Sequence, residues 1–347
     1  MAEDPTPRQM LKGLLQGVTP PRPLFVPIVF SLGAKLENLS RRAFLANPTK
    51  ISNSLRQIRS HLRSDGVACY FDPFLEAEAL GGMLEWLADD RPPTIRWPEP
   101  AVSGELPQGL RAPDEAAKCG RALVAVEAIR RLKSLLRDDP VLMAGVSGPL
   151  TLAARLVQLK PEGALRMEDL PSDALELASS ASTQIAAAFG EAGANMIFIQ
   201  EDFLPPLTGE SSDTWAALLS PTVNVVRFYE AMPVLHLTNG RAFAQNCALI
   251  LERQWNCLLC PALDGIASLA PGRVSGLGGT RLGIAAPYEA FRPEQAGAEV
   301  HPSLARIISE VQPAIVTTVG DVPATADLKH LTRFHEEIER AASGAGA

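Results

Sequence analysis

Short β-branched and apolar runs, each closing on Gly, Pro or Asp, alternate along the chain with longer stretches of helical period. That alternation is the signature of parallel βα units. Strands are predicted at Leu24–Phe30, Val67–Phe71, Val141–Val146, Met196–Gln200, Val234–Leu237, Cys257–Cys260, Leu282–Ala285 and Ile315–Val319. Helical spacing predicts helices over Pro48–Arg63, Ala116–Arg137, Leu150–Leu159, Asp173–Ala192 and Ser303–Val311, with a terminal helix from Ala326 to about Ala342. Eight strands are the number that a (β/α)8 TIM barrel requires, and barrels of this kind carry their chemistry where strands end and βα loops begin.

The second-to-third strand connection is too long for a plain βα unit. Its Pro-rich piece, residues 91–113, reads as an excursion covering one end of the barrel. The expected organisation is an N-terminal extension over residues 1–20, one barrel domain over 21–342 and a Ser-Gly-Ala tail over 343–347. At 347 residues and 46% hydrophobic composition the chain can bury a core of that size.

Charge narrows the partners. The formal net charge of −7 is spread without a polybasic run, which argues against nucleic acid and anionic membrane. No stretch approaches the roughly 20 apolar residues of a membrane helix, and the first residues lack a signal-peptide pattern, so a cytoplasmic location is expected. The five cysteines are then expected to be thiols. No Gly-rich cradle follows a strand at dinucleotide spacing, and no nicotinamide, flavin or nucleotide is expected.

Four strand ends carry unusual residues. The second runs into Phe71-Asp72-Pro73-Phe74-Leu75-Glu76-Ala77-Glu78-Ala79-Leu80-Gly81, three carboxylates that would repel unless they bind a cation, accept hydrogen bonds or stay solvated. The third runs into Ser147-Gly148-Pro149-Leu150-Thr151-Leu152-Ala153, where glycine allows close backbone approach and Thr151 can cap a helix. The fourth starts after Ala192-Gly193-Ala194-Asn195 and ends in Gln200-Glu201-Asp202, and the fifth ends in His236-Leu237-Thr238-Asn239-Gly240.

In this order the segments resemble the uroporphyrinogen decarboxylase superfamily, and the Glu-Ala-Glu-Ala-Leu-Gly run resembles its corrinoid-dependent methyltransferase branch, the methylcobalamin:coenzyme M type. The resemblance implies methyl transfer between a cobalamin cobalt and a small acceptor or donor. It also implies a separate corrinoid-carrying protein as partner, since no corrinoid-carrying domain is visible in the sequence. Asp72, Glu76, Glu201 and His236 become the candidate catalytic residues, and Glu78, Gly148, Thr151 and Asn239 the candidate substrate-binding residues. Asp72, Glu76 and Glu201 are expected to share one cavity at the barrel mouth.

Two departures alter the expected chemistry. Thiol-methylating members resembled here hold zinc on a His-x-Cys of the fifth strand and a Cys of the eighth, whereas the matching positions are His236, Thr238 and Val319. A metal, zinc or another transition ion, would instead fall to His236 with Glu201 and Cys260, a harder site suited to an oxygen or nitrogen acceptor. The decarboxylase's arginine-rich first turn is replaced by Phe30-Ser31-Leu32-Gly33-Ala34-Lys35, which disfavours a polycarboxylate substrate. A lyase acting on a tetrapyrrole or small carboxylic acid, and a non-catalytic binding barrel, are the competing readings. Cys257-x-x-Cys260 sits on a strand whose alternation sends the two thiols to opposite faces. His61, His301, His330 and His335 are expected at the surface.

Overall fold

The structure, a computed structural model, describes residues 5–88, 93–97, 104–137, 139–159, 166–253, 255–261, 280–292, 304, 308 and 311–342. Eight parallel strands form one sheet: β1 (Leu24–Phe25), β2 (Gly66–Tyr70), β5 (Val141–Ser147), β6 (Met196–Glu201), β7 (Met232–Leu237), β8 (Cys257–Pro261), β9 (Arg281–Ala286) and β10 (Ile315–Thr318). They run in the order β1-β10-β9-β8-β7-β6-β5-β2, so the first two strands stand at the ends of the list and face each other across the seam of a nearly closed (β/α)8 barrel. There the Asp65 amide donates to the Phe25 carbonyl at 2.9 Å, and the Phe25 amide donates to Asp65 Oδ2 at 2.7 Å.

The helices that pack around the barrel include α4 (Pro48–Leu62), α7 (Gly120–Leu136), α8 (Pro149–Leu156), α9 (Ser172–Ala192), α10 (Gly209–Phe228), α11 (Gly240–Leu251) and α12 (Lys329–Ala342). Shorter helices are α1 (Pro7–Leu15), α2 (Leu32–Leu36), α3 (Arg41–Leu45), α5 (Leu75–Ala79) and α6 (Pro113–Ala116). The periodicity singles out neither α10 nor α11. In α10, Pro221 removes a helical donor and a β-branched cluster follows it, so tertiary packing rather than local pattern carries this helix. The helix expected over Ser303–Val311 lies almost entirely outside the described residues.

Strand β1 is shorter than its apolar run. Pro27 cannot donate to a ladder, and on either side of it the hydroxyls of β10 supplement the backbone pairing. The Thr317 hydroxyl donates to the Val26 carbonyl at 2.7 Å, and the Ile28 amide donates to Thr318 Oγ1 at 3.0 Å. Between β2 and β5 the chain folds an antiparallel pair, β3 (Met83–Glu85) with β4 (Thr94–Arg96). It then returns through hydrogen bonds from the Gly104 amide to the Val157 carbonyl and from the Arg111 amide to the Leu80 carbonyl. His335 departs from the expected surface position. It is 3% exposed, with Nε2 3.5 Å from Asp65 beneath the seam. His301 lies outside the described residues.

Candidate functional site

A cavity of about 1110 Å³ opens at the C-terminal ends of the strands, lined among others by Phe71, Asp72, Gln200, Asp202, Thr238, Val319 and Asp321. Strand alternation decides which strand-end residues reach it. In register, Ser147 pairs with Gln200, Gln200 with His236 and His236 with Leu259, so these residues share one face of the sheet. That face is the barrel interior, where the His236 ring meets Phe198 edge-on at 5.6 Å and Phe198 meets Phe71 at 5.5 Å.

His236 is fully buried directly behind the cavity-lining Gln200, whose Nε2 lies 3.2 Å from His236 Nδ1. Burial lowers the imidazole pKa to about 4, and the Asp202 charge only partly offsets this. The ring is therefore neutral near pH 7. With the Gln200 amide donating to Nδ1, the ring proton sits on Nε2, a buried atom with no hydrogen-bond partner among the described residues.

Asp72 is the predicted candidate that lines the cavity itself. Its Oδ1 accepts from the Phe74 amide at 2.9 Å, and its Oδ2 is ion-paired to Arg121, which also binds Glu78. Burial raises the Glu78 pKa and Arg121 opposes the rise. The two carboxylates in turn stabilise the guanidinium charge despite its burial. Sequence reasoning missed Arg121, yet the signal was present. It shares the buried stripe of α7 with Ala125, Ala128, Ile129 and Leu132, and an arginine on an apolar stripe needs an acid.

Glu76 and Glu201 do not join Asp72 in the cavity. The Ser147 amide and hydroxyl both donate to Glu76 at 2.9 Å, and burial raises the carboxyl's pKa. Glu201 pairs in register with Leu237 and so turns to the opposite face from His236, toward the helices. It accepts from the Leu150 and Thr151 amides, the Thr151 hydroxyl and the Trp215 indole at 2.6–3.2 Å. Burial raises its pKa to about 7 despite these donors.

The candidate substrate-binding residues are also occupied locally. A Cβ at Gly148 would stand 2.2 Å from Glu201 Cδ, so glycine there makes room for the carboxylate that caps α8. Thr151 Oγ1 donates to Glu201 and accepts from the Asp202 and Phe203 amides. Asn239 caps α11, accepting from the Arg241 and Ala242 amides.

The proposed metal set is corrected by the same alternation. Cys260 pairs with Ile284, one residue beyond the His236–Leu259 register, and faces away from the barrel interior. Burial raises its thiol pKa far above the ordinary value. Glu201 also faces away, leaving His236 inside without either partner. Among the described residues no group of three His, Cys, Asp or Glu side chains is placed to hold a metal ion. The five cysteines form no disulfide.

The carboxylate that does reach the cavity after β6 is Asp202, one residue on from the Glu201 singled out by sequence. The Thr238 hydroxyl donates to its Oδ1 at 2.9 Å, and Arg155 ion-pairs with its Oδ2. Arg155 also donates to the Pro73 carbonyl and, at 2.8 Å, to Ser147 Oγ, tying together the ends of β2, β5 and β6. Its sequence signal is a single charge in the last turn of the otherwise apolar α8.

Comparison with known proteins agrees with this architecture. The family model "Uroporphyrinogen decarboxylase (URO-D)" matches residues 6–224. A methylcobamide:CoM methyltransferase, MtaA, from Methanosarcina barkeri is 29% identical over 134 residues, which is 37% of this chain and 38% of that protein's own length. A solved methyltransferase structure from Methanosarcina mazei superposes with a TM-score of 0.74 at 17% identity, covering 99% of this chain and 100% of its own. A B12-independent methionine synthase from Shewanella sp. W3-18-1 gives a TM-score of 0.51 at 12% identity, over 93% of this chain and 96% of its own.

Proposed function

Because the chain belongs to the uroporphyrinogen decarboxylase (URO-D) family, we propose that it is a methyltransferase working at its barrel mouth, moving a methyl group between a corrinoid cobalt and a small acceptor or donor. The observation that carries this reading is the convergence of Asp72, Gln200, Asp202 and Thr238 on one cavity with neutral His236 directly behind Gln200. The partial likeness to a methylcobamide:CoM methyltransferase supplies the reaction class. The corrinoid is treated as a substrate, delivered by a separate corrinoid-carrying protein that docks over the mouth.

When an acceptor X–H takes the methyl group, its lone pair forms the new bond while the carbon–cobalt electron pair stays on the metal. The acceptor's proton must then leave. Asp202 is the exposed carboxylate at the cavity that can receive it, held in place by Arg155 and Thr238. His236 Nε2–H, a buried donor without a partner, offers a hydrogen bond to an acceptor or donor oxygen that reaches behind Gln200. Asp72, ion-paired to Arg121, fixes the same wall from the end of β2.

The residues do not fit a thiolate zinc site. Thr238 gives its hydroxyl to Asp202, Val319 presents a hydrocarbon to the cavity, and Cys260 faces the other way. No step is therefore routed through zinc, and a thiol acceptor would find no thiolate-bound zinc here to lower its pKa.

The test is to mix the purified chain with methylcobalamin and a series of alcohols, amines and thiols, following the visible spectrum for loss of the methyl–cobalt bond. One acceptor is expected to accelerate that loss, and Asp202→Asn is expected to abolish the acceleration. If every acceptor leaves the spectrum unchanged, or Asp202→Asn leaves the acceleration intact, this reading fails.

A further inference from the structure

Polar cross-strand pairs are stacked inside the barrel between β6 and β7. Gln200 and His236 are partners in register. The ladder continues past them through the Thr238 amide, which donates to the Glu201 carbonyl at 3.2 Å. Asp202 and Thr238, each two residues further on, therefore take the same side of the sheet one pleat nearer the mouth, joined by the Thr238 hydroxyl. Asp202, Thr238 and Gln200 all line the cavity, whereas His236 is fully buried beside them. Gln200 is thus the side chain that stands between the imidazole and the substrate space.

The Gln200 carboxamide is held from both sides. On β5, a Cβ at Gly145 would stand 3.0 Å from Gln200 Oε1 and 2.8 Å from Phe71 Cδ1, so the missing side chain makes the room in which the amide lies. With its oxygen toward β5, its nitrogen faces β7, 3.2 Å from His236 Nδ1. Phe198 meets the imidazole edge-on at 83° and fixes the plane of the ring. A carboxamide N–H can only donate, and a neutral imidazole carries one donor and one acceptor. The nitrogen that faces Gln200 therefore dictates the character of the other, Nε2, which is enclosed and has no partner among the described residues. A buried donor left without an acceptor is costly, and a substrate atom that accepts its hydrogen removes that cost.

We propose that Gln200 is a positioning residue of this site: by donating to Nδ1 it holds His236 in the Nε2–H form, so that the ring meets the substrate as a hydrogen-bond donor rather than as a base. Labour is then divided between the stacked pairs. Asp202 takes a proton, and His236 lends one in a hydrogen bond without giving it up. The inference rests on the mouth being the reactive site, as proposed above, and adds the residue that sets the polarity of its histidine. Glutamate has the shape of glutamine and the opposite hydrogen-bonding sense, so Gln200→Glu would draw a proton to Nδ1.

The proton can be located without methyl transfer. The chain has five histidines, so the full protein labelled with 15N-histidine gives a nuclear magnetic resonance spectrum in which the protonated nitrogen of each ring is read. His236 is identified by its loss in His236→Asn. Near pH 7 the unaltered chain is expected to carry its His236 proton on Nε2 alone. Gln200→Glu should place a proton on Nδ1, and Gln200→Met, which keeps the bulk without the amide, should give a mixture of the two neutral forms. A melting curve for each variant establishes that it is folded. With methylcobalamin and the accelerating acceptor at saturation, Gln200→Glu is expected to slow the reaction about tenfold or more, the usual effect of losing one hydrogen bond in the transition state. KM should change less. A proton on Nδ1 in the unaltered chain, or an Nε2–H that neither substitution disturbs, overturns the inference. So does a displaced proton with an unchanged rate. If no acceptor acts at all, the methyltransferase reading fails, while the spectra still decide whether Gln200 sets the ring.

Discussion

The two walls of the cavity treat charge differently. On the side formed by β2, β5 and β6, each strand-end acid has its counter-group: Asp72 and Glu78 share Arg121, Asp202 has Arg155, and Glu76 and Glu201 take clusters of donors. On the side formed by the turn after β1, Lys35 and Arg41 form no ion pair with a carboxylate among the described residues, and Asp321 is taken by the Phe30 and Ser31 amides. A completed network holds shape, because each member is costly to remove. An incomplete one holds capacity for a ligand, because its members contribute little to the fold until something binds.

Substitutions can break that contrast. The largest effect is expected from Arg121→Leu, which strands Asp72, whose side chain is 1% exposed, in a low-dielectric setting. Stability should fall by about 3–5 kcal/mol, as for removal of one partner of a buried pair, whereas Arg41→Gln should stay within about 0.5 kcal/mol of the unaltered chain. Urea unfolding of the two variants side by side decides this, and equal losses would erase the distinction between the walls.

The next effect is a pH dependence. His236 has a folded pKa of about 4 against an ordinary 6.5, so the unfolded chain binds more protons between those values. Stability from this group is present above pH 6.5 and is lost as pH falls toward 4, by about 3 kcal/mol. Glu201 works in the opposite sense. Its folded pKa of about 7 lies above its ordinary 4.5, so the native state binds the extra proton and gains stability as pH falls from 7 to 4.5. Subtracting unfolding energies of His236→Asn from those of the unaltered chain, from pH 4 to 7, isolates the histidine. The difference should grow more negative toward acid, and a flat difference would mean that the ring is hydrated rather than buried.

Gly148→Ala should cost about 1–3 kcal/mol, the usual range for overpacking, because its Cβ meets the Glu201 carboxyl carbon. Calorimetric melting measures it, and an unchanged midpoint would show that Glu201 can withdraw from the α8 cap. The smallest effect is expected from Thr238→Val, which removes one half-exposed hydrogen bond to Asp202, about 0.5–1 kcal/mol.

The eight strands were legible because each is a short apolar run with clear punctuation, and their order carried the family resemblance. Sites were less legible, and the reason is geometric. Proximity to a strand end does not say which face a side chain takes, and a one-residue step moves it across the sheet. Thus Glu201 reaches helices while Gln200 and Asp202 reach the cavity. In β2 the register shifts between Ala68 and Tyr70, a bulge that resets the alternation just before Asp72 and that no pattern announces. Arg121 and Arg155 stand 49 and 47 residues from the acids they bind, a separation that only the fold closes.

The two-residue β1 has a bearing on how the chain assembles. Its ladder partner is β10, and Ile28 lies 290 residues from the Thr318 hydroxyl that receives its amide hydrogen. During synthesis this strand must wait for nearly the whole barrel to emerge before its partner exists. An apolar strand left unpaired for so long would invite pairing with neighbouring chains. Pro27, two residues after Phe25, lets the segment offer only a stub of ladder during that wait, and the threonines of β10 complete the closure from their side chains when they arrive.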